Sequence, residues 1–251
     1  MSKIICIASQ IAGTGKTATA VSLATSFALM EKSTLLIDCD PQAVATRWMG
    51  LDDQRLDTTL YHAFMGQTPL DEIVTGSQID YMSILPSQID LFQVEHKLAV
   101  KPGKEMILRK QVQKISHHYD YIIIDSPPTL GYFTICAMAT ADWLIIPIRC
   151  HLHGAVPLNH LLDVAGIVRN ELNPDLKIAG RLLTFSDGNL ESAQSFPIDG
   201  GNLFSTSIPI DLEIKNAFYH GRPIQLHDIM SLGAISYLNF SVELINMIDK
   251  N

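Results

Sequence analysis

Gln10-Ile11-Ala12-Gly13-Thr14-Gly15-Lys16-Thr17-Ala18 sets two glycines, a lysine and a hydroxyl between an apolar run (Ile4 to Ala8) and a helix-like stretch (Thr17 to Met30). A strand, a tight glycine turn and a helix N-terminus together make a phosphate cradle. Gly13 and Gly15 let the backbone curl so that successive N–H groups converge on one anion, and the helix dipole adds partial positive charge. Lys16 is placed to reach the β- and γ-phosphates of a nucleotide, and Thr17 to ligate magnesium. The usual first glycine of such a loop is Gln10 here, so the pattern fails at one position. A plain Gly-Thr-Gly turn would look the same, and the rest of the chain has to decide.

Two further segments do. Leu35-Leu36-Ile37-Asp38-Cys39-Asp40-Pro41-Gln42 is an apolar strand ending in two carboxylates, and Tyr121-Ile122-Ile123-Ile124-Asp125-Ser126-Pro127-Pro128 repeats the design. In a parallel sheet both ends emerge beside the glycine loop. There an acid holds magnesium through water or orients the attacking water. An Asp at a strand end also opens turns and caps helices. Three such segments in this order favour a nucleotide site.

The elements that must position these groups follow from apolar runs. Strands are predicted at Lys3–Ala8, Thr34–Asp38, Met82–Leu85, Tyr121–Asp125, Trp143–Ile148, Lys177–Thr184 and Phe204–Ile208, mostly continuous Ile/Leu/Val runs of the kind covered on both faces. Helices are predicted at Thr17–Met30, Glu105–His118, Thr129–Thr140, Ala155–Leu172 and Ile229–Ile248. The alternation predicts an α/β fold, a doubly wound, mostly parallel sheet with helices on both faces and its ligand at the strands' C-terminal ends. No linker-like segment divides residues 1–251, so one domain is expected.

Composition narrows the class. The chain is 47% hydrophobic and 18% charged, with no apolar stretch near the ~20 residues a bilayer span needs. Cys6, Cys39, Cys136 and Cys150 stand singly, so metal and disulfide readings are poor and a reducing cytoplasm is expected. His117, His118, His151 and His153 have no metal-ligand spacing, and Trp48 and Trp143 read as packing residues. A net charge of −8 argues against broad polyanion binding, but between Glu95 and His118 lie Lys97, Lys101, Lys104, Arg109, Lys110 and Lys114 against two glutamates. That run is either a solvated helix face or a nucleic-acid patch.

The segments SQIAGTGKTATAVSLA, LLIDCDPQ, YDYIIIDSPPTLG, ADWLIIPI, LLTFSDG and IPIDLEIKNAFYHGRPI together resemble the ParA/MinD family of deviant Walker ATPases, in particular its ParA-type positioning members. The resemblance implies ATP and Mg²⁺ as ligands, an ATP-dependent homodimer, and a slow ATPase accelerated by a small activator or adaptor protein. It further implies a cytoplasmic protein that binds DNA non-specifically, and through it associates with the nucleoid, and the positioning of a plasmid, chromosome region or protein assembly such as a carboxysome. It assigns Lys16 to the β/γ-phosphates, Thr17 to magnesium and Asp40 to the hydrolytic water. Asp125 would hold the metal through water with Asp38 in support, Ser126, Pro127, Pro128 and Gly131 would form the γ-phosphate switch, and Pro209 would lie in the adenine-side loop.

Two departures qualify the resemblance. The family's signature lysine, which reaches the partner's ATP, is Ile11 here. Either the dimer is weaker and hydrolysis slower, or another cation substitutes, Arg149 first and Lys215 second. Basic residues that grip DNA in the family fall on Asn189 and Glu213, leaving Lys97 to Lys114, or Lys215 and Arg222, to supply a patch. Three rivals stand beside this reading. A MinD-like membrane helix would have only Lys250 as a cation, and Leu238, Val242, Ile245 and Ile248 read instead as core. An electron-transferring relative needs two cluster cysteines, and none lies between Cys39 and Cys136. The third is an ATP-gated regulatory switch with little hydrolysis.

Overall fold

The computed structural model describes residues 2–150, 155–186 and 202–250. The Ile/Leu runs become the strands of one seven-stranded sheet: β1 Lys3–Ile7, β2 Thr34–Asp38, β3 Thr75–Gly76, β4 Met82–Leu85, β5 Tyr121–Asp125, β6 Trp143–Arg149 and β7 Lys177–Thr184. Their order is β3-β4-β2-β5-β1-β6-β7, parallel throughout except for β3, which pairs antiparallel with β4. The continuous apolar runs have a simple cause. Alternate residues enter two separate cores: Cys6, Leu35, Ile37, Ile122 and Ile124 face one, while Ile5, Ile7, Leu36 and Ile123 face the other.

Helices cover both faces. On one lie α1 (Lys16–Leu29) and the C-terminal helix. On the other lie α6 (Ile107–Ile115), α7 (Tyr132–Thr140) and α8 (Ala155–Glu171). Short helices missed by periodicity join them: α2 Val44–Trp48, α3 Leu60–Phe64, α4 Leu70–Ile73 and α5 Phe92–Lys97, followed late in the chain by α9 Leu212–Tyr219 and α10 Ile224–His227. Helices of four to eight residues carry too little repeat to show a 3.6 period. The predicted helix Glu105–His118 is α6 with a 3₁₀ turn at each end. The predicted helix at Thr129 begins only at Tyr132, because Thr129 lies in the turn and its carbonyl accepts from Thr134 Oγ1 at 2.6 Å.

Two expectations are corrected. Phe204–Ile208 is not a strand. It runs beside β7, Phe204 N donating to the Arg181 carbonyl and Ile208 N to that of Leu183, but only isolated bridges flank it. The amides between, Ser205 and Thr206, donate instead to the Glu243 carboxylate at 2.7 and 2.8 Å, and Pro209 has no N–H to offer. The last helix, α11 (Leu232–Asp249), buries Ala234, Tyr237, Phe240, Leu244 and Ile248; of the four residues expected in the core, Ile248 is buried and Ile245 packs against it, while Leu238 is half-buried and Val242 exposed. Tyr237 OH lies 3.4 Å from Thr19 Oγ1, so α11 is bolted to α1. Among the described residues no helix is long and apolar enough to cross a membrane.

Candidate nucleotide site

The register of the central strands builds the site. Asp38 and Asp125 are direct neighbours across β2 and β5, and Ile7 lies level with Asp125 on β1. Three strands thus end together, β5 between β2 and β1, and the glycine loop leaves from β1. Gly13 (φ 73°) and Gly15 (φ 82°) take the left-handed conformation that only glycine adopts without strain, and Gly15 caps α1. The turn is held from within and without. Thr14 Oγ1 donates to the Ile11 carbonyl at 3.2 Å, Lys16 Nζ donates to the same carbonyl at 3.1 Å, and Thr184 Oγ1 on β7 donates to the Thr14 carbonyl at 2.9 Å.

A cleft of about 460 Å³ opens above this loop. Ala12, Gly13, Gly15, Lys16, Thr17, Ala18, Asp40, Pro128, Pro209 and Lys215, all picked out by sequence, line it. So do Trp48, read from sequence as a packing residue, and Thr184, Phe185, Ile214 and Phe218, which carried no sequence signal. Trp48 Nε1 donates to the Arg222 carbonyl at 3.0 Å, and its ring meets Phe218 edge-on at 5.2 Å, so this wall is rigid.

Beneath the cleft the carboxylates differ in their support. Asp38, fully buried, accepts from Thr46 N (2.8 Å), Thr46 Oγ1 (2.7 Å) and Asp40 N (3.1 Å). Burial nonetheless raises its pKa to about 6 against these bonds. The Thr46 hydroxyl accepts in turn from Ser87 N at 3.0 Å, which fixes it. Asp40 sits at the cleft, accepts from Gln42 N at 2.8 Å, and has its pKa raised chiefly by burial, with Lys16 opposing. The turn that holds it is tight enough to force Ala43 to φ 51°. Asp125 is the exception. It is fully buried, and neither carboxylate oxygen has a hydrogen-bond partner of good geometry, although the Thr17 hydroxyl nearby favours its charged form. Burial first and the Asp38 charge second push its pKa well up. Lys16 is shifted down by burial, opposed by Asp125 and Asp40. Two neighbouring buried acids, one with both oxygens orphaned, beside a half-exposed threonine hydroxyl form a donor set for a hard divalent cation such as magnesium.

The switch residues follow β5 directly. Ser126 Oγ donates to the Ile7 carbonyl at 2.9 Å, the Pro127 and Thr129 carbonyls accept from Thr134 Oγ1, and Gly131 caps α7. Of the two substitute cations, Lys215 lines the cleft, while Arg149 ends β6 exposed at the rim with its guanidinium 4.5 Å from the centre of the Phe185 ring. Glu213 is occupied by His227 Nε2 (3.1 Å) and Asn216 (3.1 Å). Asn189, His151 and His153 lie outside the described residues.

The basic run is not a uniform patch. Lys97, Lys101, Lys110 and Lys114 are exposed and Lys104 half-buried, but Arg109 is a structural clamp. Its guanidinium donates to the carbonyls of Ala139 (3.2 Å) and Leu172 (3.5 Å) and to Asn173 Oδ1 (3.0 Å), tying α6 to the ends of α7 and α8. An arginine read by charge alone looks like surface; here its donors answer helix-end carbonyls that would otherwise lack partners. The four cysteines are buried and form no disulfide, and no cluster of metal-ligating side chains occurs among the described residues.

A doubly wound parallel sheet with a glycine phosphate loop at its centre and acids at the adjoining strand ends defines a P-loop nucleotide-binding protein. Comparison with known proteins narrows this. Residues 2–178 match the AAA domain family AAA_31. The chain is 36% identical over 248 residues to the chromosome partitioning protein ParA of Myxococcus xanthus, covering 97% of this chain and 88% of that one. It is 33% identical over 250 residues to the sporulation initiation inhibitor protein Soj of Bacillus subtilis, covering 97% and 98%. Among solved structures it is similar to cobyrinic acid a,c-diamide synthase from Mycobacterium smegmatis with bound ADP and magnesium, at a TM-score of 0.86 and 26% identity, over 99% of this chain and 96% of that one. The chain belongs to the ParA/MinD family.

Proposed function

We propose that this protein is an ATP-dependent positioning switch. ATP–Mg²⁺ occupies the cleft, two copies associate while it is bound, and slow hydrolysis, accelerated by a small activator, releases them. The observation that carries the reading is Asp125: a fully buried carboxylate with both oxygens unpaired, beside Thr17 and the phosphate loop, is costly unless a cation completes it. A relative named as a chromosome partitioning protein and a solved neighbour with ADP and magnesium support the same reading.

In this assignment Lys16 and the loop amides hold the phosphates, while Thr17, Asp125 and Asp38 hold the magnesium, which would supply neutralisation of the phosphate charge. Asp40 orients the hydrolytic water. Lys215, in the cleft wall, offers the cation that Ile11 lacks, and Pro209 with its apolar neighbours receives the adenine side.

The switch is tied to the basic run. Tyr132, the first residue of α7, donates through its hydroxyl to the Lys104 carbonyl at 2.8 Å, Lys104 Nζ lies 5.6 Å from the ring centre, and Arg109 grips the far end of α7. A shift of residues 126–131 on nucleotide binding would therefore reach the segment bearing Lys97, Lys101, Lys110 and Lys114, which we assign as the contact for DNA phosphates. Such contacts are sequence-independent and weaken steeply with salt. The test is retention on non-specific double-stranded DNA with ATP–Mg²⁺, with ADP–Mg²⁺ and without nucleotide, at low and moderate salt. Retention with ATP alone is expected, and its loss on charge reversal at Lys97, Lys101, Lys110 and Lys114. Retention in no state would contradict the DNA-tethered switch and leave an ATP-gated protein–protein switch.

A further inference from the structure

Phe185 has no role in the functional reading above, yet three observations converge on it. Its backbone is left-handed at φ 52°, a conformation that bulky residues avoid and that clusters at ligand clamps. Its ring lines the nucleotide cleft close to Gly15, where a β-carbon at that glycine would stand 3.7 Å from Phe185 Cε2. The guanidinium of Arg149, at the end of the neighbouring strand β6, lies 4.5 Å from the ring centre. The preceding residue ties Phe185 to the glycine loop, since Thr184 Oγ1 donates to the Thr14 carbonyl inside that loop and to the Ile148 carbonyl of β6.

We infer that Phe185 is the stacking platform for the base of the bound nucleoside triphosphate, and that Arg149 is a positioning residue that holds the ring from outside within its own protomer. The inference rests on the nucleotide reading above and extends it to base recognition. The other aromatics in the wall are committed elsewhere: the Trp48 indole N–H donates to the Arg222 carbonyl, Trp48 and Phe218 pack edge-on against each other, and Tyr237 is buried with its hydroxyl beside Thr19. Phe185 instead carries a cation on its ring and remains open to the cleft. A guanidinium on an aromatic ring is attracted by the ring's negative face, and it fixes the ring without contacting the ligand. The strained backbone puts the ring where an ordinary β-strand conformation after Thr184 would not.

The test measures the affinity of the full-length chain for ATP–Mg²⁺ and for tripolyphosphate–Mg²⁺, which has no base, by calorimetry in wild type, Phe185→Leu, Phe185→Tyr, Arg149→Gln and the Phe185→Leu/Arg149→Gln double variant. Phe185→Leu is expected to weaken ATP about 5- to 150-fold, the range of base–aromatic stacking. Arg149→Gln is expected to weaken it about 2- to 5-fold and to add nothing in the Phe185→Leu background. Phe185→Tyr keeps wild-type affinity, and tripolyphosphate binding is the same in every variant. Should Phe185→Leu not fold, Arg149→Gln at its exposed side chain still decides: ATP affinity falls and tripolyphosphate affinity holds. Equal losses for ATP and tripolyphosphate, an unchanged ATP affinity in Phe185→Leu, or an Arg149 effect that persists without the ring would each overturn the inference. The last would return Arg149 to the phosphates. A wild type that binds neither compound would instead defeat the nucleotide reading itself.

Discussion

Asp125→Asn separates a cation-holding carboxylate from a structural one. Asp125 is buried with both oxygens unpaired beside Asp38, and burial together with that charge raises its pKa well above the usual carboxylate value. A carboxyl raised on folding stabilises the fold at low pH, and that contribution is lost as pH rises through the folded-state value. Asp38 behaves alike: a rise from 3.8 to about 6 corresponds to on the order of 3 kcal/mol lost between those values. The wild type without nucleotide should therefore melt lower at pH 8 than at pH 5. Asparagine removes the buried charge, and its amide donates where the carboxylate only accepts. We expect Asp125→Asn to gain about 1–3 kcal/mol at pH 8, or roughly 2–12 °C in Tm for a chain of this size, and little at pH 5. Saturating ATP–Mg²⁺ reverses the order. At a hundredfold excess over Kd it adds about 2.7 kcal/mol to the wild type and much less to the variant. Differential scanning calorimetry at the two pH values, with and without ATP–Mg²⁺, reads all four states. An Asp125→Asn variant less stable than wild type at pH 8 without nucleotide would refute the reasoning, because it would make Asp125 a structural acceptor.

Thr46→Val removes the hydroxyl that donates to Asp38 and leaves Ser87 N without its acceptor; a loss of about 1–3 kcal/mol in chemical denaturation and a higher magnesium requirement for turnover are expected, with Thr46→Ser restoring both. Arg109→Ala should cost about 2–4 kcal/mol by the same measurement, because it strips several charge-assisted bonds from helix ends, whereas exposed Lys110→Ala should stay within about 0.5 kcal/mol. Asp40→Ala is expected to abolish ATP turnover in a phosphate-release assay while ATP affinity stays within about threefold.

How much of this was legible in the sequence depended on how local the signal was. β2, β4, β5 and β7 match their predicted bounds residue for residue; β2 and β5 are buried at every position, and the buried half of β7 follows its exposed start at Lys177. The phosphate loop and the strand-end acids were legible because glycine, lysine and carboxylate types at fixed spacing have few other uses. Phe204–Ile208 misled because Glu243, far along the chain, takes the amides a strand would have paired. Arg109 misled because its partners sit on α7 and at the end of α8, and nothing in a run of charges shows which member turns inward. Thr46, Thr184 and Phe185 were missed for a related reason. Thr46 acts through Asp38, Thr184 through a carbonyl of the distant loop, and the left-handed backbone of Phe185 carries no glycine or asparagine to announce it.

The central claim is that nucleotide state controls self-association, and sedimentation velocity of the Asp40→Ala variant measures it most directly. With turnover blocked, ATP–Mg²⁺ should shift the protein from monomer to dimer, while ADP–Mg²⁺ and the nucleotide-free sample remain monomeric. The same sedimentation coefficient in all three conditions, with ATP shown to be bound, would contradict the account.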